Sequence, residues 1–143
     1  MIRYLVDTNM IGYFARRSSE SLLERMQPAL QNNEVAVSAI TRAETLFSLS
    51  RLDFHDKRRR TVKLILDEFP CLNWTAEAAD RYGEVAADLE QKGQPIGQMD
   101  TMIASHSLVT GLTLVTHNTR HFERVPNLKL EDWTTLGCST LGL

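Results

Sequence analysis

The sequence predicts an α/β domain in which helices flank a parallel β-sheet. Short apolar segments typical of buried strands alternate along the chain with longer segments whose apolar residues recur at helical spacing. This alternation favours parallel strands joined by right-handed crossovers. A chain of 143 residues is long enough to bury about two-thirds of its unfolded surface, and no repeat or linker divides it. We therefore expect a single domain over residues 1–143.

In the first half of the chain, the strands are short apolar runs and each helix has one apolar face. The clearest face carries Val62, Ile65, Leu66 and Phe69. Pro28 is expected to bend or shorten its helix because it has no backbone N–H to donate. The predicted elements are a strand over Ile2–Val6, helices over Met10–Ala15 and Ser19–Gln31, a strand over Val35–Ser38, and helices over Thr41–Leu52 and Phe54–Phe69.

The second half of the chain continues the alternation. Thr75 is placed to cap a long helix, and Gly111 follows the next helix, where a left-handed residue commonly ends the last turn. The predicted elements are a strand over Cys71–Trp74, a helix from Thr75 to about Gly93, a loop "GQPIG", a helix over Met99–Val109, a strand over Leu112–Thr116, a turn, and an extended segment over Leu128–Leu130.

Composition and charge exclude several classes of protein. Hydrophobic content is 43% and charged content 24%, which excludes a disordered or fibrous chain. A formal net charge of −2 excludes a globally basic nucleic-acid binder, although "HDKRRR" at 55–60 supplies a local basic run. Cys71 and Cys138 are widely separated in the sequence and fit neither a CxxC zinc motif nor a disulfide framework. With no export signal or apolar membrane span, we expect a soluble, cytoplasmic protein.

Four oxygen-bearing side chains are expected at one edge of the sheet. Asp7 directly follows the first strand, Glu44 is expected in the first turn of the helix after the second strand, and Asn118 follows the strand over 112–116. Asp100 starts a helix that must return to the amino end of that strand, so its own start lies at the opposite, carboxyl edge. Ligands of parallel sheets bind beyond the carboxyl ends of the strands.

Each of these residues also has a purely structural interpretation. Asp7 could cap the helix that follows it, and Glu44 could form a capping box with Thr41 in "TRAE". Asp100 could interact with a helix dipole, and Asn118 could shape a turn. That all four fall on one sheet edge favours a shared site over four independent local roles.

Clustered carboxylates repel one another, so such a site must bind a cation or protonate. Oxygen ligands favour Mg²⁺ or Mn²⁺ over zinc. A site of this kind suits phosphodiester hydrolysis, in which the metal activates water and stabilises charge on the phosphate.

Three sequence blocks carry a resemblance to a known family. They read "YLVDTNMIGYF", "VSAITRAETLFSLS" and "PIGQMDTMIASHSLVTGLTLVTHNTRHFERVPNLKLEDW". In this order, over nearly the whole chain, they resemble the signature blocks of the PIN-domain ribonucleases, specifically the VapC toxins of type II toxin–antitoxin (VapBC) systems. The resemblance implies a Mg²⁺- or Mn²⁺-dependent endoribonuclease of structured RNA that is neutralised by a VapB-type antitoxin.

The resemblance also assigns roles to residues. Asp7, Glu44 and Asp100 match the three acidic metal-site positions, and Asn118 matches a fourth catalytic position that is Asp in many PIN domains. Three small polar residues match positions that support the site: Thr8, Asn9 and Thr116. His121 stands where some close relatives carry an acid.

The substrate and partners follow from the resemblance alone. It implies tRNA, specifically the anticodon stem-loop of initiator tRNA, with ribosomal RNA as the second candidate. It also implies a homodimer, with the helices over 19–31 and 54–69 as regions for the dimer and antitoxin surfaces.

Among the basic residues, Arg16, Arg17 and Arg120 are the expected RNA contacts because they follow the candidate site in sequence. The run Lys57–Arg60 points around most of a helix and is interpreted as a solvated face. His117 and His121 are interpreted as non-catalytic, because a metal-activated water needs no histidine base.

Two other functions remain open from the residues. A haloacid-dehalogenase-type phosphatase would use Asp7 as a nucleophile, but Asn9 replaces the second acid of its DxD motif. A catalytically inert RNA-binding or regulatory module of the same fold would be expected to lose acids, whereas all three are retained.

Overall fold

The structure, a computed structural model, describes residues 1–134, in which five strands and seven helices alternate. The strands are β1 (Tyr4–Val6), β2 (Val35–Ser38), β3 (Cys71–Leu72), β4 (Thr113–Val115) and β5 (Leu130–Glu131). The helices are α1 (Thr8–Ala15), α2 (Glu20–Gln31), α3 (Ala39–Ser50), α4 (Lys57–Asp67), α5 (Ala76–Gln91), α6 (Gln98–Thr110) and α7 (Thr119–Phe122).

The strands form one sheet in the order β3-β2-β1-β4-β5, and every neighbouring pair is parallel. This confirms the predicted fold class. The sequence of β1, Tyr-Leu-Val, and that of β2, Val-Ala-Val-Ser, are buried at every position. Such continuous apolar runs are typical of parallel strands covered on both faces. The carboxyl ends of β1 and β4, the two central neighbours, therefore meet at one edge.

A hydrophobic core lies on each face of the sheet. On one face, Tyr4 and Val6 pack with buried residues of α1, α2 and α4. On the other, Leu5 packs with buried residues of α5, α6 and α7. Successive strand residues point to opposite faces, so the three residues of β1 anchor both cores. The edge that follows β1 is consequently held by packing from both sides.

The start of α3 differs from the prediction. The helix begins at Ala39, directly after β2, because the Ser38 Oγ accepts a hydrogen bond from the Ile40 N–H at 3.0 Å and caps it. Thr41 therefore lies inside the helix, fully buried. The capping box of Thr41 and Glu44 is wrong, and Glu44 falls in the second turn of α3, not in the first.

Other boundaries shift by a few residues. The helix α4 begins at Lys57 and is capped by Asp56, whereas the prediction began it at Phe54. The helix α2 continues past Pro28 to Gln31 and is not shortened. The helix α7 was not predicted, because four residues are too few to show a helical period. Cys71 is exposed, whereas Cys138 and the end of the predicted domain lie outside the described residues. No helix within residues 1–134 is both long and apolar enough to cross a membrane.

Candidate functional site

Asp7 is the most buried of the three acids at the carboxyl edge of the sheet. It follows β1 directly, and its backbone N–H donates to the Val115 carbonyl of β4 at 3.0 Å. Its side chain is 4% exposed. Oδ1 accepts from the Thr8 N–H at 2.7 Å, and Oδ2 accepts from the Thr116 hydroxyl at 2.9 Å. Asp7 is therefore the N-cap of α1 and also a carboxylate fixed at both oxygens, so the two interpretations of this residue are compatible.

Thr8 connects Asp7 to the acid on α3. Its hydroxyl donates to Glu44 Oε1 at 2.7 Å and lies 3.3 Å from the Thr41 hydroxyl. Thr8 is the first residue of α1, so its position is set by β1, whereas Glu44 is carried by the helix that follows β2. The hydroxyl thus fixes the distance between two elements that approach the edge from neighbouring strands.

Asp100 reaches the same edge from the first turn of α6. The turn before it requires Gly97, whose φ of 95° is a conformation that residues with a Cβ rarely adopt. Asp100 Oδ2 lies 3.1 Å from His121 Nε2, which also lies 2.9 Å from the Ile96 carbonyl. A carbonyl can only accept, so Nε2 carries the proton and donates to both oxygens.

The electrostatics show that the acids act on one another. Burial raises the pKa of Asp7 to about 6; the Thr116 hydrogen bond opposes this rise, while the negative charges of Asp100 and Glu44 add to it. Burial also raises the pKa of Asp100, and His121 partly offsets that effect. The edge therefore disfavours carboxylate charge, and a bound cation would relieve that cost.

The donor set fits a hard divalent cation. The acids offer oxygen ligands, which Mg²⁺ and Mn²⁺ prefer. Within residues 1–134, no three acidic, histidine or cysteine side chains converge closely enough to enclose one ion. One or two carboxylates with water completing the shell is the usual arrangement for Mg²⁺, and Asp7 with Asp100 or Glu44 can provide it.

The other predicted site residues differ widely in exposure. Thr116 is fully buried and also accepts from the Asn118 N–H at 3.0 Å. The side chain of Asn118 is exposed and does not cap α7. Asn9 is exposed beside Thr8. The three candidate RNA contacts are also exposed: Arg16, Arg17 and Arg120.

His121 is the residue that sequence reasoning undervalued. It was interpreted as non-catalytic, and its contact with Asp100 was not anticipated. The sequence does contain a signal for a role of His121 at the site, namely its spacing of three residues from Asn118. Residues three apart lie on the same side of a helix. That signal depends on α7, which was not predicted. By contrast, His106 is buried inside the fold and hydrogen-bonded to Ser38 at 2.8 Å.

Comparisons with known proteins show the family of the chain. The family model of the PIN domain matches residues 4–128. Ribonuclease VapC2 from Rickettsia felis is 34% identical over 130 residues, which are 91% of this chain and 97% of the relative. The tRNA(fMet)-specific endonuclease VapC from Shigella flexneri is 31% identical over 134 residues, 94% of this chain and 100% of the relative.

Solved structures give the same result. One chain in the crystal structure of DNA-bound VapBC from Salmonella typhimurium matches with a TM-score of 0.84 and 30% identity, covering 93% of this chain and 99% of that chain. The match of fold, family and length extends over nearly the whole sequence. The chain therefore belongs to the PIN-domain family, among its VapC ribonucleases.

Proposed function

We propose that this chain is the toxin of a VapBC-type pair and a Mg²⁺- or Mn²⁺-dependent endoribonuclease that cleaves structured RNA. The observation that carries the proposal is the electrostatic coupling of Asp7 with Asp100 and Glu44, which come from three separate elements. Burying the Asp7 carboxylate at the end of a rigid strand, next to two further acids that repel it, is costly unless a cation uses the group.

In this proposal Asp7, together with Asp100 or Glu44, binds the cation directly and the remaining acid contacts it through water, and Asn118 faces the substrate as the fourth catalytic position. A bound Mg²⁺ or Mn²⁺ would supply Lewis-acid chemistry for water attack on a phosphodiester. Asp7 is suited to bind an ion because Thr116 and the Thr8 N–H fix the direction of its oxygens. A site on the end of a strand is held more precisely than one on a loop.

The supporting residues set the orientation of the acids. Thr8 fixes Glu44 through its hydroxyl, and His121 holds Asp100 through Nε2. Thr116 serves twice, donating to Asp7 and accepting from the Asn118 backbone, so it aligns two proposed site residues at once. Asn9 lies exposed at the same edge, where it can orient RNA.

RNA binding is proposed to depend on local positive charge. The proposed phosphate contacts Arg16, Arg17 and Arg120 are all exposed. Arg16 lines a cavity with Thr8 and Asn9 and Arg120 follows Asn118, whereas Arg17 lines a separate groove at the ends of α2 and α4. The net charge of −2 means that this contact must be confined to the edge that carries the acids.

The substrate proposed first is tRNA, including the anticodon stem-loop of initiator tRNA, because the relative from Shigella flexneri is a tRNA(fMet)-specific endonuclease. Ribosomal RNA is the second candidate. The proposed partner is a VapB-type antitoxin, because a chain of similar fold was crystallised as a VapBC complex. We also propose a homodimer, in the cytoplasm.

Cleavage of total tRNA by the purified, antitoxin-free chain tests this function. We expect discrete fragments in Mg²⁺ that disappear with EDTA and with Asp100→Asn. Glu24→Gln, which changes an exposed acid on α2 beside Arg3 and Glu34 at the opposite edge of the sheet, is the matched control and should cleave like the unmodified chain.

The outcomes separate the alternatives. If tRNA stayed intact while ribosomal RNA was cleaved, ribosomal RNA would replace tRNA as the proposed substrate. If both RNAs stayed intact although the chain bound them, the enzyme proposal would be wrong, and the inert RNA-binding module would replace it.

A further inference from the structure

A cavity of about 270 Å³ lies between α1, α3 and α4, next to the acidic edge. Its walls include the polar residues Thr8 and Asn9 and the apolar residues Leu49 and Val62. Because Thr8 also donates to Glu44, the cavity and the carboxylates share a wall. The volume lies just below the range of about 300–1,000 Å³ typical of drug-sized ligands, so the occupant is small.

The cavity contains a buried polar atom without a partner. Thr45 is 6% exposed, lines the cavity, and its Oγ1 finds no hydrogen-bond partner among residues 1–134. The large majority of buried side-chain polar atoms in proteins are paired, so an unpaired hydroxyl needs an explanation. A ligand that reaches this hydroxyl with a donor or an acceptor would provide one.

Arg16 supplies positive charge at the wall of the cavity. A Cβ on Gly12 would lie 3.2 Å from Arg16 Nη1, so the absence of a side chain at Gly12 lets the guanidinium fold over α1. Arg16 Cζ lies 5.3 Å from the centre of the Tyr13 ring. Arg58 also lines the cavity, but Asp56 already pairs with it at 2.7 Å. In the described part of the chain, Arg16 has no such acidic partner.

These features distinguish between possible occupants. An aliphatic side chain from a partner protein would contact the apolar walls but would leave the Thr45 hydroxyl unpaired. An unpaired nucleobase presents a flat apolar ring together with hydrogen-bonding edges, and its phosphate carries the charge that Arg16 can meet. Proteins commonly recognise RNA through such splayed-out bases, bonded at their edges.

We propose that this cavity, named here the Thr45 pocket, receives one unpaired nucleobase of the RNA, with the Thr45 hydroxyl bonded to the base edge and Arg16 at the adjoining phosphate. The proposal rests on the proposed ribonuclease function and adds a base-recognition site beside its acids. The Thr45 pocket would then contribute to the choice of the nucleotide next to the cleaved bond.

Nuclear magnetic resonance of the metal-free chain in EDTA tests the pocket without catalysis. Threonine-methyl-labelled protein is titrated separately with AMP, GMP, CMP and UMP. We expect the Thr45 methyl signal to shift saturably, with a preference for at least one nucleotide. In Thr45→Val, followed through the Gly12 amide, the preferred nucleotide should bind about 3–10-fold more weakly, the worth of one hydrogen bond.

Thermal unfolding provides the second readout. Thr45→Val keeps the shape of the side chain and removes only the unpaired hydroxyl, so its Tm should equal or exceed that of the unmodified chain. Thr61→Val, on the exposed side of α4 and outside the pocket, is the matched control and should leave nucleotide binding unchanged. A clear fall in Tm for Thr45→Val would reveal an internal partner and overturn the proposal.

Two other results would also overturn it. One is nucleotide binding that is identical in Thr45→Val and the unmodified chain. The other is a Thr45 signal that responds to N-acetyl-leucine amide and to none of the four nucleotides, which would assign the pocket to a protein side chain. RNA cleavage by the unmodified chain is scored separately, so failure of the pocket and failure of the ribonuclease function remain distinct.

Discussion

At the scale of single residues, Asp7 combines roles that usually fall to different side chains. It caps α1, ties β1 to β4 through its backbone N–H, and presents a buried carboxylate to Asp100 and Glu44. The cap contributes to stability, whereas burial of the charge reduces it. Such a conflict at one residue is typical of functional sites, where stability is lower than packing alone would allow.

The pH dependence of stability tests this conflict at Asp7. Its pKa is about 6 in the folded chain against 3.8 for an unperturbed aspartate, so its stabilising contribution is fully present below pH 4 and is lost as the pH rises through 6. The charged form costs the metal-free fold about 3 kcal/mol. Metal-free Asp7→Asn should therefore exceed the unmodified chain in free energy of unfolding at pH 8, by up to about 3 kcal/mol.

Urea unfolding in EDTA at pH 4 and at pH 8 measures the difference. Asparagine is as good an N-cap as aspartate, so the cap is not a confounding factor. Equal stabilities of the two chains at pH 8 would show that the Asp7 charge carries no such cost.

His121 provides a second test at the residue scale. Its Nε2 donates to Asp100 Oδ2, so removal of the ring should release the carboxylate. Loss of a group that orients a metal ligand typically costs about 10–100-fold in metal affinity or activity. We expect His121→Ala to lose this much in Mn²⁺ affinity, measured by calorimetry, and His121→Gln to recover part of it through its amide donor. His55→Ala, at an exposed histidine, is the control; if its affinity fell equally, the His121 contact would have no special role.

At the scale of elements, the start of α3 determines where Glu44 lies. Ser38 ends β2, caps α3, and bonds to the buried His106 of α6 at 2.8 Å. Because burial lowers the pKa of His106, the ring is neutral at pH 7 and pairs with the hydroxyl without charge. One serine thus connects the helix that carries Glu44 to the helix that carries Asp100.

Ser38→Ala tests this connection against an ordinary cap. Loss of an N-cap costs about 1 kcal/mol of stability, and we expect the same from Ser19→Ala at the start of α2. Only Ser38→Ala should also reduce RNA cleavage, because α2 carries no site residue. Thermal unfolding and cleavage are measured on both variants. A similar loss of cleavage in Ser19→Ala would attribute the effect to general instability.

The elements also show how far the sequence determines the structure. Five strands and the longer helices were predictable because apolar runs and helical periods are visible in single segments. The start of α3 was not predictable, because Ser38 ends the apolar pattern of β2 and also caps the helix that follows. The helix α7 was missed because "TRHF" is too short for a period, and with it the contact between His121 and Asp100.

At the scale of the whole molecule, parallel topology was enough to predict that Asp7, Glu44 and Asp100 approach one edge. Their hydrogen-bond partners were less predictable. Thr8 and Thr116 were expected only as supporting residues, and the bond from Thr8 to Glu44 depends on the packing of α1 against α3. The unpaired hydroxyl of Thr45 has no signal in the sequence, because its burial results from three helices meeting around it.

The charge distribution of the molecule predicts how RNA binding responds to salt. With a net charge of −2, attraction to RNA must come from local cations, and each phosphate contact adds about 0.7 to the salt slope for single strands. Arg16→Gln and Arg120→Gln should each reduce the slope by about that amount in metal-free binding to tRNA. Arg3→Gln, at the opposite edge of the sheet, should not. If the salt slope of tRNA binding were the same in all three variants, Arg16 and Arg120 would be excluded as phosphate contacts.

The most direct test of the account is a titration of the chain with Mn²⁺, followed by electron paramagnetic resonance of the free ion. The account predicts saturable binding that is strongly weakened in Asp7→Asn and in Asp100→Asn but retained in Glu24→Gln. Equal Mn²⁺ binding by all four chains would contradict it, because the carboxylates at the sheet edge would then not form a cation site.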